Sequence, residues 1–279
     1  MRLKLKLHLI KNDMLTPNYN YQLSSSIYKL LRFGSPEFSE FLHGIGYKRN
    51  GKSYKLFSFA LQFEKMAIIN GLIKLIKPSA FLYVSSPLID SFIRNFVLGS
   101  FRDNLIEIVF DNQKTIFEIR EIESLPHPSF DETNYFKMLS PLVLSTMKEF
   151  NGRLMPYYLR YYDSLDEINR ILNKNLINKY EAVYNKEYNG NNVSLEWDNG
   201  YIQKRTNKGK RLTKKISIAK KGERPIDIIG NEIPFRIKGN PGLIKIGYEC
   251  GFGEKNSMGF GLAEDTNYTN FTKARHELH

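Results

Sequence analysis

The sequence predicts an α+β fold made of two β-α-β-β-α-β modules in tandem, on three observations. Apolar spacing alternates between the two-residue period of strands and the 3.6-residue period of helices in that order across the first half, and again, less clearly, across the second. A Leu125-Pro126-His127-Pro128 break separates the halves. The 279 residues, 42% hydrophobic and 13% aromatic, supply apolar material for two cores. The element order is the ferredoxin-like, or RRM-like, arrangement. Expected boundaries are 1–124, 129–264 and a flexible tail at 265–279.

In the first module Arg2–Ile10 alternates as a strand. Tyr21–Phe33 spaces Leu23, Ile27, Leu30 and Leu31 as a helix that Gly34 ends. Ser35-Pro36 then supplies an N-cap and a first-turn proline for a second helix, with Phe38, Phe41, Leu42 and Ile45 inward and Gly44 and Gly46 stopping it. Tyr54–Phe63 and Ala80–Ser86, rich in aromatic and β-branched residues, read as strands, and Pro87–Leu98 as an amphipathic helix. Leu105–Phe110 and Thr115–Ile122 complete the set.

In the second module Phe136–Thr146 is strand-like, and Ser164–Tyr184 is helical through Leu165, Ile168, Ile171, Leu172 and Ile177. Leu212–Ala219 reads as a basic strand, and Ile226–Ile237 as a strand pair or bent strand around Pro234. Leu243–Cys250 is the expected last helix, followed by a glycine-rich loop and a closing strand, Met258–Leu262.

Charge narrows the function classes. The formal net charge is +12, and Lys204–Arg224 alone holds ten basic residues against one acid, Glu223. Such a segment points to a polyanionic partner, the alternative being a charged edge that discourages sheet aggregation. The single cysteine, Cys250, excludes an internal disulfide framework and fits a reducing cytoplasm. Lys65, Lys74, Lys77 and Asp90 interrupt the best apolar runs, so no membrane span is expected. The five histidines (8, 43, 127, 276, 279) show no zinc-site spacing, and no HExxH, CxxC or Asp-rich motif occurs, so neither a metal nor a cofactor is expected.

Gly247–Gly261, GYECGFGEKNSMGFG, sets five glycines around a Glu254-Lys255-Asn256-Ser257 insert. Glycine brings backbone close to a ligand, and successive N–H groups suit an anion. Lys255 follows Glu254 and precedes Asn256, unlike a Walker lysine, and Asn256 stands where a dinucleotide fingerprint needs glycine or alanine. The run resembles the C-terminal loop of the RAMP superfamily, and closely that of the CRISPR-associated repeat-RNA endoribonucleases.

That resemblance implies an enzyme that binds CRISPR repeat RNA and cuts precursor crRNA. RNA carries its own nucleophile, so cleavage needs only proton transfer and charge neutralisation. His43 sits in a helix's last turn, about 140° around from Phe38 at 100° per residue, where the dipole favours the imidazolium. In the resembling enzymes a tyrosine on the first helix, a histidine on the next short helix and a lysine ahead of an aromatic strand form the active site. The matching residues are Tyr28 in SSSIYKLL, His43 in FLHGIG and Lys55 in SYKLF, with Lys52 a competing lysine. Expected RNA contacts are Lys52, Lys204, Arg205, Lys208, Lys210, Arg211, Lys214, Gly253, Lys255 and Asn256. His127 is expected to be a linker residue and His8 an outward strand residue, and His276 and His279 are assigned no role. Other CRISPR effector subunits and a homodimer stay open as partners. The alternative is a non-catalytic RAMP-type RNA-binding subunit. A ferredoxin-like RNA-binding protein outside the superfamily ranks last, for want of stacking aromatics of the RRM kind.

Overall fold

The computed structural model describes residues 1–110, 113–218 and 224–266. In the first module, β1 (Arg2–Lys11) leads to α1 (Asn20–Gly34) and α2 (Pro36–Gly44). A short hairpin follows, β2 (Tyr47–Arg49) and β3 (Lys52–Tyr54), and then β4 (Ser58–Phe63) and β5 (Ser79–Ser85). A π-helical turn, Ile89–Ile93, runs into α3 (Arg94–Arg102), and β6 (Leu105–Phe110) and β7 (Gln113–Leu125) close the module.

The sheet order is β4-β5-β1-β7-β6 with every neighbouring pair antiparallel. This is the ferredoxin-like order with β6 added at one edge. Leu5 stands opposite Leu82 on one side and Ile122 on the other. Leu3, Leu5 and Leu7 face a core shared with Leu23, Ile27, Leu30, Phe92 and Phe96 from the helices. The alternation read from the first ten residues is therefore the burial pattern of a sheet covered by helices on one face.

The second module repeats the plan with insertions. Its elements are β8 (Thr133–Met138), the hairpin β9 (Ser145–Phe150) and β10 (Arg153–Tyr158), α4 (Leu165–Tyr184), β11 (Val193–Trp197) and α5 (Asn199–Thr206). A second hairpin, β12 (Thr213–Ile218) and β13 (Ile226–Asn231), precedes β14 (Phe235–Gly239), α6 (Pro241–Cys250) and β15 (Ala263–Asp265). Its sheet order, β11-β14-β8-β15, is again ferredoxin-like. Ser164 caps α4 through Glu167 N, and Asn240 caps α6 through Gly242 N, with Pro241 in the first turn.

Several expectations need correcting. The stretch expected as one strand, Tyr54–Phe63, is broken at Leu56, whose φ of 52° turns the chain between β3 and β4. Ile45 is not inward but 55% exposed, because α2 ends beneath it. The expected closing strand Met258–Leu262 is instead the end of a 3-10 turn, Asn256–Met258, and a loop with positive φ at Gly259 and Gly261, and the sheet closes later with β15. Phe136–Thr146 divides into β8 and the start of β9. The basic segment is spread over several elements: Lys204 and Arg205 lie on α5, Lys208, Lys210 and Arg211 in the turn after it, and Lys214 on β12. Lys220, Lys221 and the tail from residue 267, with His276 and His279, lie outside the described residues.

The modules are fastened together by buried polar groups. Arg2 is 3% exposed, and its guanidinium donates to Ala263 O at 2.8 Å and Tyr248 O at 2.9 Å while lying 3.7 Å over the Tyr248 ring. His127 is more than linker: its Nε2 lies 3.1 Å from Glu249 Oε1. Among the described residues no helix is long and apolar enough to cross a membrane.

Candidate active site

Tyr28 and His43 meet because α2 folds back on α1. The Ser35 hydroxyl caps α2, accepting from Phe38 N at 3.2 Å, and Ser39 Oγ donates to the Tyr28 carbonyl at 3.2 Å. The two rings stand edge to face with centroids 5.2 Å apart, and Phe57 backs the Tyr28 ring at 5.7 Å. His43 is exposed in the last turn of α2. Burial pushes the Tyr28 phenol above its ordinary range, opposed by a side-chain interaction with Ser257, so the phenol stays protonated.

Lys55 completes the group. The left-handed turn at Leu56 sends neighbouring side chains to different places: Tyr54 and Leu56 enter the second module's core and Phe57 the first's. The Lys55 ammonium reaches α2 and donates to the His43 carbonyl at 2.9 Å. It thereby satisfies one of the helix's free terminal carbonyls and stands beside the imidazole-bearing residue. Burial lowers the Lys55 pKa. Lys52, the competing lysine, pairs instead with Glu254 at 3.6 Å.

The glycine-rich loop forms the opposite wall. At Gly253, φ is 72° and a Cβ would stand 2.2 Å from Val143 O, so only glycine fits. From α4 the ammonium of Lys179, 2% exposed, donates to Gly251 O at 2.7 Å and Gly253 O at 2.6 Å. Burial depresses the Lys179 pKa to about 8 and pushes the neighbouring Cys250 thiol up to about 12. The Asn256 amide donates to Phe252 O and Phe260 O, closing the neck of the loop. From α1, Ser24 Oγ donates to Ser257 O at 2.7 Å and Asn20 Nδ2 to Met258 O at 2.9 Å. Gly253 and the Asn256 amide thus belong to the loop's framework, while Lys255, at φ 60°, is exposed.

An interdomain cleft runs between the Lys52–Phe57 segment and this loop, lined by Lys52, Lys55, Asn175, Lys179, Lys255 and Ser257. Beside it a groove on the first module carries Tyr28, Lys29, Arg32 and His43. Ser24, which lines the groove, bonds to the carbonyl of Ser257, which lines the cleft. The lining suits a phosphate chain: several cations, hydroxyl donors and an imidazole at the edge. The β12–β13 hairpin continues the surface, its Ser217 N donating to Asn18 Oδ1 of the first module at 3.0 Å. Lys204, Lys208, Lys210 and Arg211 are exposed there, while Arg205 donates to Arg211 O at 2.8 Å. Lys214 is half-buried in a separate groove with Asn20 and Glu232.

Residues overlooked in the sequence are Ser257, Lys179, Ser24 and Asn20. Ser257 lay inside the singled-out motif. Lys179 comes seven residues after Leu172 and eleven after Ile168, in line with the apolar stripe of α4, so a lysine continuing that stripe is the signal that could have found it.

Comparison with known proteins follows this geometry. Residues 14–122 match the family described as CRISPR-associated protein Cas6, N-terminal, and residues 124–264 that described as CRISPR associated protein Cas6, C-terminal. The CRISPR-associated endoribonuclease Cas6 1 of Methanocaldococcus jannaschii is 33% identical over 279 residues, with 97% of this chain and 96% of that protein covered. The CRISPR-associated endoribonuclease Cas6 of Pyrococcus furiosus is 25% identical over 248 residues, with 88% and 82% covered. A solved structure of a CRISPR associated protein Cas6 is 33% identical with a TM-score of 0.72, and that of a Cas6-related gene product from Pyrococcus furiosus 25% identical with a TM-score of 0.78. In both pairs 96% of this chain and 99% of the other are covered.

Proposed function

Because the chain belongs to the Cas6 family of CRISPR-associated proteins, we propose that it binds CRISPR repeat RNA and cuts precursor crRNA once in each repeat without a metal ion. The 2′-hydroxyl at the cut site attacks the adjacent phosphorus. A 2′-O–P bond forms, the P–O5′ bond breaks, one proton leaves the nucleophile and one is delivered to the departing 5′ oxygen. The products carry a 2′,3′-cyclic phosphate and a 5′-hydroxyl.

On this reading His43 is the general base or acid, and its exposed ring at the groove can reach a phosphodiester. Tyr28, held protonated by burial, donates a hydrogen bond that assists proton transfer or orients the substrate. Lys55 stabilises the charge that develops on the phosphorane oxygens. Residues 1–124 carry the chemistry, and residues 129–264 carry the basic segment and the glycine loop. Lys52, Lys204, Lys208, Lys210, Arg211 and Lys255 supply salt-dependent contacts to the RNA backbone.

The observation that carries the reading is the edge-to-face pair of Tyr28 and His43 in the groove of the first module, with Lys55 bonded to the His43 carbonyl and lining the cationic cleft beside it. The test is cleavage of a repeat RNA in excess EDTA, beside the same RNA with a 2′-deoxy nucleotide at the cut site. Cleavage is expected to survive EDTA and to vanish with the deoxy substrate; the reverse in either arm overturns the mechanism. Tight repeat binding with no cleavage of either RNA would favour a non-catalytic RNA-binding subunit instead.

A further inference from the structure

Lys179 is a buried cation for which the cleavage chemistry above has no use. A buried charge is costly unless its hydrogen bonds are made, and an apolar residue of similar size would fill the same space. The ammonium does what an apolar group could not: it draws the carbonyls of Gly251 and Gly253 to one point, at 2.7 and 2.6 Å, and so sets the turn between them.

Four residues beyond Gly253, the same loop reaches the first module. The Ser24 hydroxyl donates to Ser257 O at 2.7 Å, and Asn20 Nδ2 donates to Met258 O at 2.9 Å and Gly259 O at 3.2 Å. Asn20, Ser24 and Tyr28 are spaced four apart on α1 and share one face of it. Ser257, its carbonyl bonded to Ser24 one turn before Tyr28, therefore lies against the face of α1 that carries Tyr28. Between the two anchors the Asn256 amide ties Phe252 O to Phe260 O across the neck of the loop. The loop is a strut with one end on α4 and the other on α1, beside Tyr28.

We infer that Lys179 and Ser257 are positioning residues for the cleavage reaction: Lys179 fixes the loop, and the loop's Ser257 hydroxyl holds the Tyr28 phenol in the orientation it needs beside His43. The inference deepens the proposed function and rests on its assignment of Tyr28. Neither residue touches the reacting atoms. What they supply is placement, and a displacement of about 1 Å at a reacting group can cost on the order of 100-fold in rate.

The test is single-turnover cleavage of repeat RNA, with RNA affinity measured in parallel, for wild type, Tyr28→Phe, Ser257→Ala, Ser257→Thr, Lys179→Met and the Tyr28→Phe/Ser257→Ala double variant. Ser257→Ala is expected to slow the chemical step about 10-fold or more with affinity within about 2-fold, and Ser257→Thr to recover most of the rate. In the Tyr28→Phe background Ser257→Ala is expected to cost nothing further, because its only route to the chemistry is gone. Lys179→Met is expected to lose rate in the same step; if that protein does not fold, the serine variants decide. Full-rate cleavage by Ser257→Ala, or an equal loss in both tyrosine backgrounds, overturns the positioning role while leaving the assignment of Tyr28 intact. Full-rate cleavage by Tyr28→Phe would overturn that assignment, and the positioning role with it.

Discussion

Lys55 and Lys52 show what separates two lysines three residues apart. Lys55 bonds the end of the helix that carries His43, whereas Lys52 is held by Glu254 across the cleft. Lys55→Ala is therefore expected to slow the chemical step by at least about 10-fold with modest change in RNA affinity, and Lys52→Ala to act mainly on affinity. Single-turnover rates beside equilibrium binding distinguish them. Removing the imidazole in His43→Ala should cost on the order of 10²–10⁴ in rate, read in the same assay. For Tyr28, a buried phenol pushed above its ordinary pKa of 10.0 stays a donor through alkaline solution. The ratio of wild-type to Tyr28→Phe rates should thus stay flat from about pH 7 to 10; a ratio that falls toward pH 10 would mean the phenolate forms in that range. The side-chain types at these positions could be read along the chain, as could the helix-end setting of His43. The 2.9 Å bond that tells Lys55 from Lys52 could not, because it depends on the left-handed turn at Leu56, a residue type with no preference for that conformation.

At the level of elements, the parts legible in the sequence are those punctuated by their own residues. Ser35-Pro36 opens α2, Ser164 opens α4, and the alternation of β1 repeats over ten residues. Val193–Trp197 is only five residues long, and β9 and β10 expose much of both faces, so neither left a periodic signature. Where helices cross, the determinant is again local: a Cβ at Gly99 would lie 1.8 Å from Leu30 O, where α3 packs on α1. Gly99→Ala should destabilise the protein by about 1–3 kcal/mol or more, read from the denaturant midpoint. Gly44→Ala, which meets nothing within 4 Å, should be neutral or slightly stabilising. The Lys179 strut adds a pH dependence. Its folded pKa, about 8, lies below the ordinary 10.5, so between these values the unfolded chain holds a proton that the native one has released. Stability attributable to Lys179 then rises with pH across that window and is flat below it. The midpoint of wild type relative to Lys179→Met should follow this course.

Across the whole molecule, two kinds of interaction are kept apart. The exposed cations of α5 and the turn after it face solvent, so each should act through backbone charge. Replacing Lys208 or Lys210 by Gln should weaken repeat binding at all sequences, and reduce the slope of log affinity against log salt by about one per lost phosphate contact. Arg2 belongs to the other kind. Its removal in Arg2→Ala takes a donor from two buried carbonyls, of which Tyr248 O keeps only the long 3.4 Å bond from the Ser85 hydroxyl, at about 1–3 kcal/mol or more. Calorimetry should show a lowered melting temperature, and an unchanged one would mean that the Arg2 contacts add no net stability. The Arg2 contacts do not depend on neighbours in sequence: Arg2 and Ala263 are 261 positions apart. The same separation has a consequence in time. A ribosome delivers Arg2, Tyr28, His43 and Lys55 early, but the carbonyls that receive Arg2 and the loop that reaches Tyr28 are among the last described residues to be made. On the positioning role inferred for that loop, a nascent chain cuts slowly until the loop has been made and packed against α1, and full rate arrives only then.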